Sequence, residues 1–137
     1  MKDSIRSNGM KVVARLLDEL VAEMHRTAKS PDVDAVHDLR VSVRRASEAL
    51  RIFEDEIPHV GRLRKEIRAI RKMAAPVRDR DVTRGLLRHL RLPPGDPACI
   101  YLQGQRDLAA SQLQEFLSAK IRKDRPLRWL RWIGEKA

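Results

Sequence analysis

Apolar residues recur along most of the chain at spacings of three and four, the period of one buried face of an α-helix. From about Met10 to Ala28 the stripe is Val13, Leu16, Leu17, Leu20, Val21 and Met24, with Asp18, Glu19 and Glu23 outside it. Residues 1–9 are polar and end in Asn8-Gly9; they are expected to be a disordered tail ahead of one domain over 10–137. Ser30 and Pro31 read as a stop followed by a start. Ser30 is the expected N-cap, Pro31 the first helical residue, and Asp32 and Asp34 suit the dipole of the first turn. The second helix carries Val36, Leu39, Val43, Ala46, Leu50 and Phe53. It is expected to end near Ile57-Pro58, because a residue before proline is pushed out of helical geometry.

A third helix begins near Gly61, with Leu63, Ile67, Ile70 and Ala74 as its apolar line. Pro76 is expected to bend or end it. A fourth helix, capped by Asp79 or Asp81, then runs to about Leu90 with Val82, Leu86, Leu87 and Leu90 inward. The Pro-rich loop from Leu92 leads to Asp96 as a cap and Pro97 as the first residue of a helix to about Ala119. Leu102, Leu108, Leu113, Phe116 and Leu117 are its core candidates. Asp124-Arg125-Pro126 caps a short last helix, Leu127 to Ile133. Trp129 and Trp132 there suit a core or an oligomer contact better than base stacking, since no other aromatic joins them. The pattern predicts an all-α helical bundle of about five to six helices.

Charge adds a second pattern. In the second helix His37, Arg40, Arg44 and Arg51 lie at i, i+3, i+7 and i+14 and share a face beside the apolar stripe. Glu48 is the only acid near that line. From Arg62 to Lys72 the third helix has six basic residues and one acid, Glu66. Arg64, Arg68 and Arg71 form a line, with Lys65 and Lys72 beside it. A single basic stripe is as well explained by a solvated surface. Two consecutive helices that each carry a core stripe and a flanking cationic stripe favour an anion site. If they pack through Val43, Leu50, Ile67 and Ile70, both stripes can face one groove.

Composition agrees. The 137 residues are 42% hydrophobic but only 4% aromatic, which fits helices with a core of Leu, Ile, Val and Ala. Twenty-nine basic against 19 acidic side chains give a net charge of +10, and Arg dominates. Guanidinium groups bind phosphate oxygens bidentately and stay charged, so the expected partner is a phosphate-bearing polyanion. A lone Cys99 offers neither a disulfide framework nor a thiolate cluster. No long uncharged apolar run is present, so no membrane partner is expected and the chain reads as cytoplasmic. Asp79 and Asp81 are read as caps or salt-bridge partners, because two aspartates alone make a poor cation cage. No metal and no cofactor is expected, and no catalytic residue is assigned. His25, His59 and His89 are read as surface or structural.

The segments VHDLRVSVRR (Val36 to Arg45), LRIF (Leu50 to Phe53), LRKEIRAI (Leu63 to Ile70) and VRDRDV (Val77 to Val82) together resemble a CHAD domain, the conserved histidine α-helical domain. The likeness spans about Met10 to Ile133. It implies a helical bundle that binds inorganic polyphosphate in a basic cavity, without catalysis, and in some members at polyphosphate granules. His37, Arg40, Arg44 and Arg45 fall on the family's His-and-Arg motif, Arg51 and Arg68 on positions usually basic, and Arg78, Asp79 and Asp81 on its Arg-Asp-x-Asp motif. Arg64, Lys65, Arg71 and Lys72 join the expected site from the stripes alone. Ser47 stands where a further basic residue is common, and Ala75 where Gly is usual.

A full CHAD domain pairs two such helical units around the cavity, and this chain resembles the first unit. A C2 homodimer rebuilding the pair is therefore expected, with an open, monomeric half-site as the alternative and exposed apolar surface around Trp129 and Trp132. Histidine titrates near ~6.5, so a bound polyanion would favour a charged His37 and tighter binding toward about pH 6. Two other classes compete. Non-specific nucleic-acid binding would use the same cations, although aromatic platforms and a helix-turn-helix are missing. A phosphohydrolase using His37 and the aspartates lacks a Gly-rich phosphate loop, a metal cage and an activated nucleophile.

Overall fold

The computed structural model describes residues 2–134, with side chains described from Asn8 onward. It contains five helices: α1 (Lys2–Lys29), α2 (Val33–Ile52), α3 (Val60–His89), α4 (Pro97–Arg122) and α5 (Arg125–Gly134). No strand occurs among the described residues. Helices α1 to α4 pack each against the next, and α4 closes back on α1, so the four form a bundle; α5 lies across α1 and α4. The expected apolar lines meet in its centre. Val13, Leu17, Leu20 and Met24 of α1, Val36, Leu39, Val43, Ala46 and Leu50 of α2, and Leu63, Ile67, Ile70 and Ala74 of α3 are all buried in one cluster. Leu113 and Leu117 of α4 join them, whereas Leu108 is exposed.

Several local expectations are corrected. Helix α1 begins at Lys2, so the stretch expected to fray is helical and Asn8-Gly9 lies inside it. Gly9 is buried there because the Phe53 ring fills the space where a Cβ would stand. The α2 cap is Asp32, not Ser30: its side chain accepts a hydrogen bond from the Ala35 amide at 2.8 Å. Helix α2 ends at Ile52, before the Ile57-Pro58 pair, and Ile57 is instead buried in the turn that follows. Asp96 does cap α4, accepting from the Ala98 amide at 2.9 Å.

The largest correction is at Pro76. The third and fourth expected helices are one continuous α3 running through the proline. Pro76 leaves the Lys72 carbonyl without its helical donor, a cost of ~3 kcal/mol. Burial of the apolar Ala74 and Val77 on the inner face of the same stretch offsets it. Asp79 and Asp81 therefore cap nothing. Asp79 is exposed in mid-helix, and Asp81 is buried in an ion pair with Arg106 of α4.

That ion pair also marks the level at which α2 ceases to cover α3. The Arg106 guanidinium donates both to Asp81 and, at 2.7 Å, to the carbonyl of Pro31, just before α2 begins. At 1.5 Å per residue α3 is about 45 Å long and α2 about 30 Å. Past Asp81, α3 therefore extends beyond the start of α2. There it is packed by α4 alone, and Val82, Leu86 and Leu90 are each more than half exposed, as are Ile100 and Tyr101 of α4. This projecting α3–α4 arm gathers five of the exposed apolar residues, while Leu127 of α5 and Ile52 are exposed elsewhere and the tryptophans themselves are covered. Trp129 is fully buried, and Trp132 is partly buried against the core.

The connections are tied by polar groups. Thr27 is buried, and its hydroxyl donates to the Glu23 carbonyl at 2.8 Å. Gln114 of α4 donates to the Ala28 carbonyl at 2.7 Å, satisfying an orphan acceptor at the end of α1. Arg26 of α1 donates to Asp38 of α2 at 2.6 Å, and this hydrogen bond raises the Arg26 pKa above its ordinary value.

Candidate functional site

Helices α2 and α3 bury their apolar lines against each other, and each basic stripe sits one step round from that line. Arg64 donates to Glu54 at 3.1 Å, holding the start of α3 beside the end of α2. Between the two helices opens a groove of about 750 Å³. His37, Arg40, Arg44 and Arg51 line it from α2, and Arg64, Arg68, Arg71 and Arg78 from α3. Val41, Val43 and Ser47 complete the wall, and Glu48 is its single acid.

Eight expected site residues thus converge, including Arg78 from the segment beyond Pro76. The continuity of α3 through that proline is what brings Arg78 into line with Arg71. Three expected residues do not line the groove. Arg45 is exposed outside it, one position past Arg44 on the helix. Lys72 stands exposed on the outer side of α3. Lys65 points away, toward α4 and α5.

The electrostatics are lopsided. Of the seven arginines on the groove only Arg64 is held in an ion pair among the described residues. Glu48 makes none of the ion pairs found there. Six guanidiniums with free donors face one open channel, with two valines among the lining residues. Such an array repels itself when empty and is relieved by a ligand that brings several negative oxygens at once. Guanidinium donors fork toward paired oxygens, so the array is suited to phosphate or carboxylate groups in series.

Arg106 was not foreseen in the sequence. It stands 25 residues from Asp81, among Gln, Leu and Ala, and no local spacing signals the pair. It lies outside the groove but anchors the stretch of α3 that carries Arg78. Ser47, one departure from the family pattern, and Glu48 beside it stand on the groove wall itself and reduce its positive charge, whereas Ala75, the other departure, is not among the lining residues.

Among the described residues no helix is long and apolar enough to cross a membrane. No match is found among curated proteins or among solved structures. Residues 11–137, nearly the whole chain, match the family model described as CHAD domain, and with the all-helical bundle and the His37–Arg40–Arg44 line on the page the chain belongs to the CHAD domain family.

Proposed function

We propose that the chain binds inorganic polyphosphate along the groove between α2 and α3, as a binding module and not as a catalyst. CHAD domains in general are associated with polyphosphate binding. The observation that carries the reading for this chain is the convergence of seven arginines and His37 on one channel against a single carboxylate. A polyphosphate chain presents about one negative charge per unit, in series, and its unbranched backbone fits an elongated channel. Binding displaces condensed counterions, so affinity falls steeply with salt. Arg68 and Arg71 of α3 face Arg44 and Arg51 of α2 across the channel and grip the chain from both sides.

A second copy completes the arrangement. The projecting arm bears Val82, Leu86 and Leu90 in a line at i, i+4 and i+8, with Ile100 and Tyr101 exposed on the neighbouring helix. A C2 partner would cover this apolar face, and the pairing restores the two-unit form of a full CHAD domain. A cytoplasmic location at polyphosphate granules follows from the ligand.

Competition binding tests the reading. Labelled long-chain polyphosphate is bound at about 150 mM salt and challenged with unlabelled polyphosphate, and with DNA and RNA matched in phosphate count. Preference for polyphosphate, lost in the Arg44→Ala/Arg68→Ala variant, is the expected result. Equal competition by nucleic acid with an unchanged variant would overturn it in favour of diffuse, charge-driven binding. Phosphate release on incubation with magnesium would overturn the non-catalytic part.

A further inference from the structure

Lys65, the expected site residue that leaves the groove, leads to a second basic cavity. It measures about 700 Å³ and is formed by the start of α3, the end of α4 and α5. Six cations and one acid, Glu66, surround it. Glu66 is already committed: Lys120 lies 3.0 Å and Arg125 3.7 Å from its two carboxylate oxygens. The remaining four, Arg62, Lys65, Arg128 and Arg131, have no carboxylate partner among the described residues. Arg128 and Arg131 are one turn apart on α5, so they present their charge from one face. Arg62 stacks over the Trp132 ring, 5.8 Å from its centre.

We infer that this cavity is a second binding site for an inorganic phosphate chain, distinct from the groove between α2 and α3. The chemistry argues for phosphate over a nucleobase. Trp132 is partly buried, Arg62 covers its ring, and His59 leans on it at 6.1 Å, so no open aromatic face is presented for stacking. What the cavity offers is uncompensated positive charge on four mobile or forked donors.

Helical geometry relates the two sites. At 3.6 residues per turn, the groove residues of α3 lie roughly a quarter turn from its buried line, and Arg62, Lys65 and Ala69 lie roughly a third of a turn the other way. Arg68, Lys72 and Lys65 step across the exposed ridge between them. The outer side of α3 is therefore a continuous basic track from one site to the other. A short phosphate chain fills either site alone, while a long one crosses the ridge and occupies both, gaining avidity from the linkage. This ligand class is shared with the proposed function, but the residues are not, and each site is tested separately.

The test is calorimetric titration of the full chain with tripolyphosphate at low salt, followed by tryptophan emission. Two bound ligands per chain are expected. The Lys65→Ala/Arg128→Ala/Arg131→Ala variant keeps one, and Arg44→Ala/Arg68→Ala keeps the other. Trp132 borders only the second site, so tripolyphosphate shifts emission in the native protein and in Arg44→Ala/Arg68→Ala. It does so in neither Trp132→Phe nor the triple variant. One ligand per chain, retained in the triple variant and silent in emission, would overturn the second site while leaving the groove intact. Loss of all binding in the triple variant alone would overturn the groove and leave the second site standing.

Discussion

Asp81 of α3 and Arg106 of α4 form a bidentate ion pair, Nε to Oδ1 at 2.9 Å and Nη2 to Oδ2 at 3.4 Å, with side chains only 2% and 11% exposed. The same guanidinium reaches the Pro31 carbonyl, so one arginine clamps α3, α4 and the α1–α2 turn. Removing one partner strands the other charge in a nearly dry site. Asp81→Ala is expected to destabilise the fold by about 3–5 kcal/mol in urea unfolding. Asp81→Leu combined with Arg106→Met should recover much of that loss, because it removes both charges. A double variant as unstable as the single would show that the pair does not act as a unit.

How far the sequence anticipates this structure depends on the range of each signal. The core lines of α1, α2 and the first half of α3 were legible because their periodicity is local and strong. Leu39, Leu63 and Ile67 are buried as their spacing requires. The groove was legible because its two stripes sit beside those same lines. Pro76 misled, since its local preference to end a helix lost to the burial of Ala74 and Val77, which only tertiary packing supplies. Leu86 and Leu90 misled for a related reason: their period is helical, but nothing in the chain says that α2 begins too late to cover them. Arg106 carried no signal, because its meaning lies in a residue on another helix.

Gly9 of α1 lies directly against the Phe53 side chain at the end of α2. A Cβ on residue 9 would stand 2.7 Å from Phe53 Cδ1 and 2.9 Å from Cγ. Replacing a mid-helix glycine by alanine gains ~1 kcal/mol of helix propensity. Against that, Cγ lies near the root of the Phe53 side chain, so the ring cannot simply swing aside, and overpacking of this kind costs ~1–3 kcal/mol. Gly9→Ala is therefore expected to lower stability slightly, by ~1 kcal/mol, and to raise it in a Phe53→Ala background. Thermal unfolding of the four proteins measures the sign change.

Arg44 and Arg45 are adjacent and chemically identical, yet only Arg44 lines the groove. If the channel is the binding site, Arg44→Ala should weaken polyphosphate binding about tenfold and reduce the salt dependence by about one ion. Arg45→Ala should stay within about twofold, because an exposed charge outside the channel is screened. Equal losses in the two variants would mean that binding reads total charge and not the groove.

The arm carries a prediction about assembly. Leu86 sits mid-line between Val82 and Leu90 and is 56% exposed. Leu86→Glu removes nothing from the core, so the helical content of the chain should be unchanged, while the unfolding temperature should fall only by what the dimer contact contributed. A charge at the centre of a dimer contact is costly, so light scattering should show native dimers and Leu86→Glu monomers at the same concentration. Native monomers at high concentration would contradict the pairing.

His37 stands on the channel with Arg40 and Arg44 on its own helix and Arg78 across from it on α3. If its imidazole hydrogen-bonds the bound chain, His37→Ala should weaken polyphosphate binding by a few-fold, the worth of one hydrogen bond of about 0.5–1.5 kcal/mol. Urea unfolding should be unchanged, because the side chain is exposed and its removal takes nothing from the core. An affinity equal to that of the native protein would remove His37 from the site.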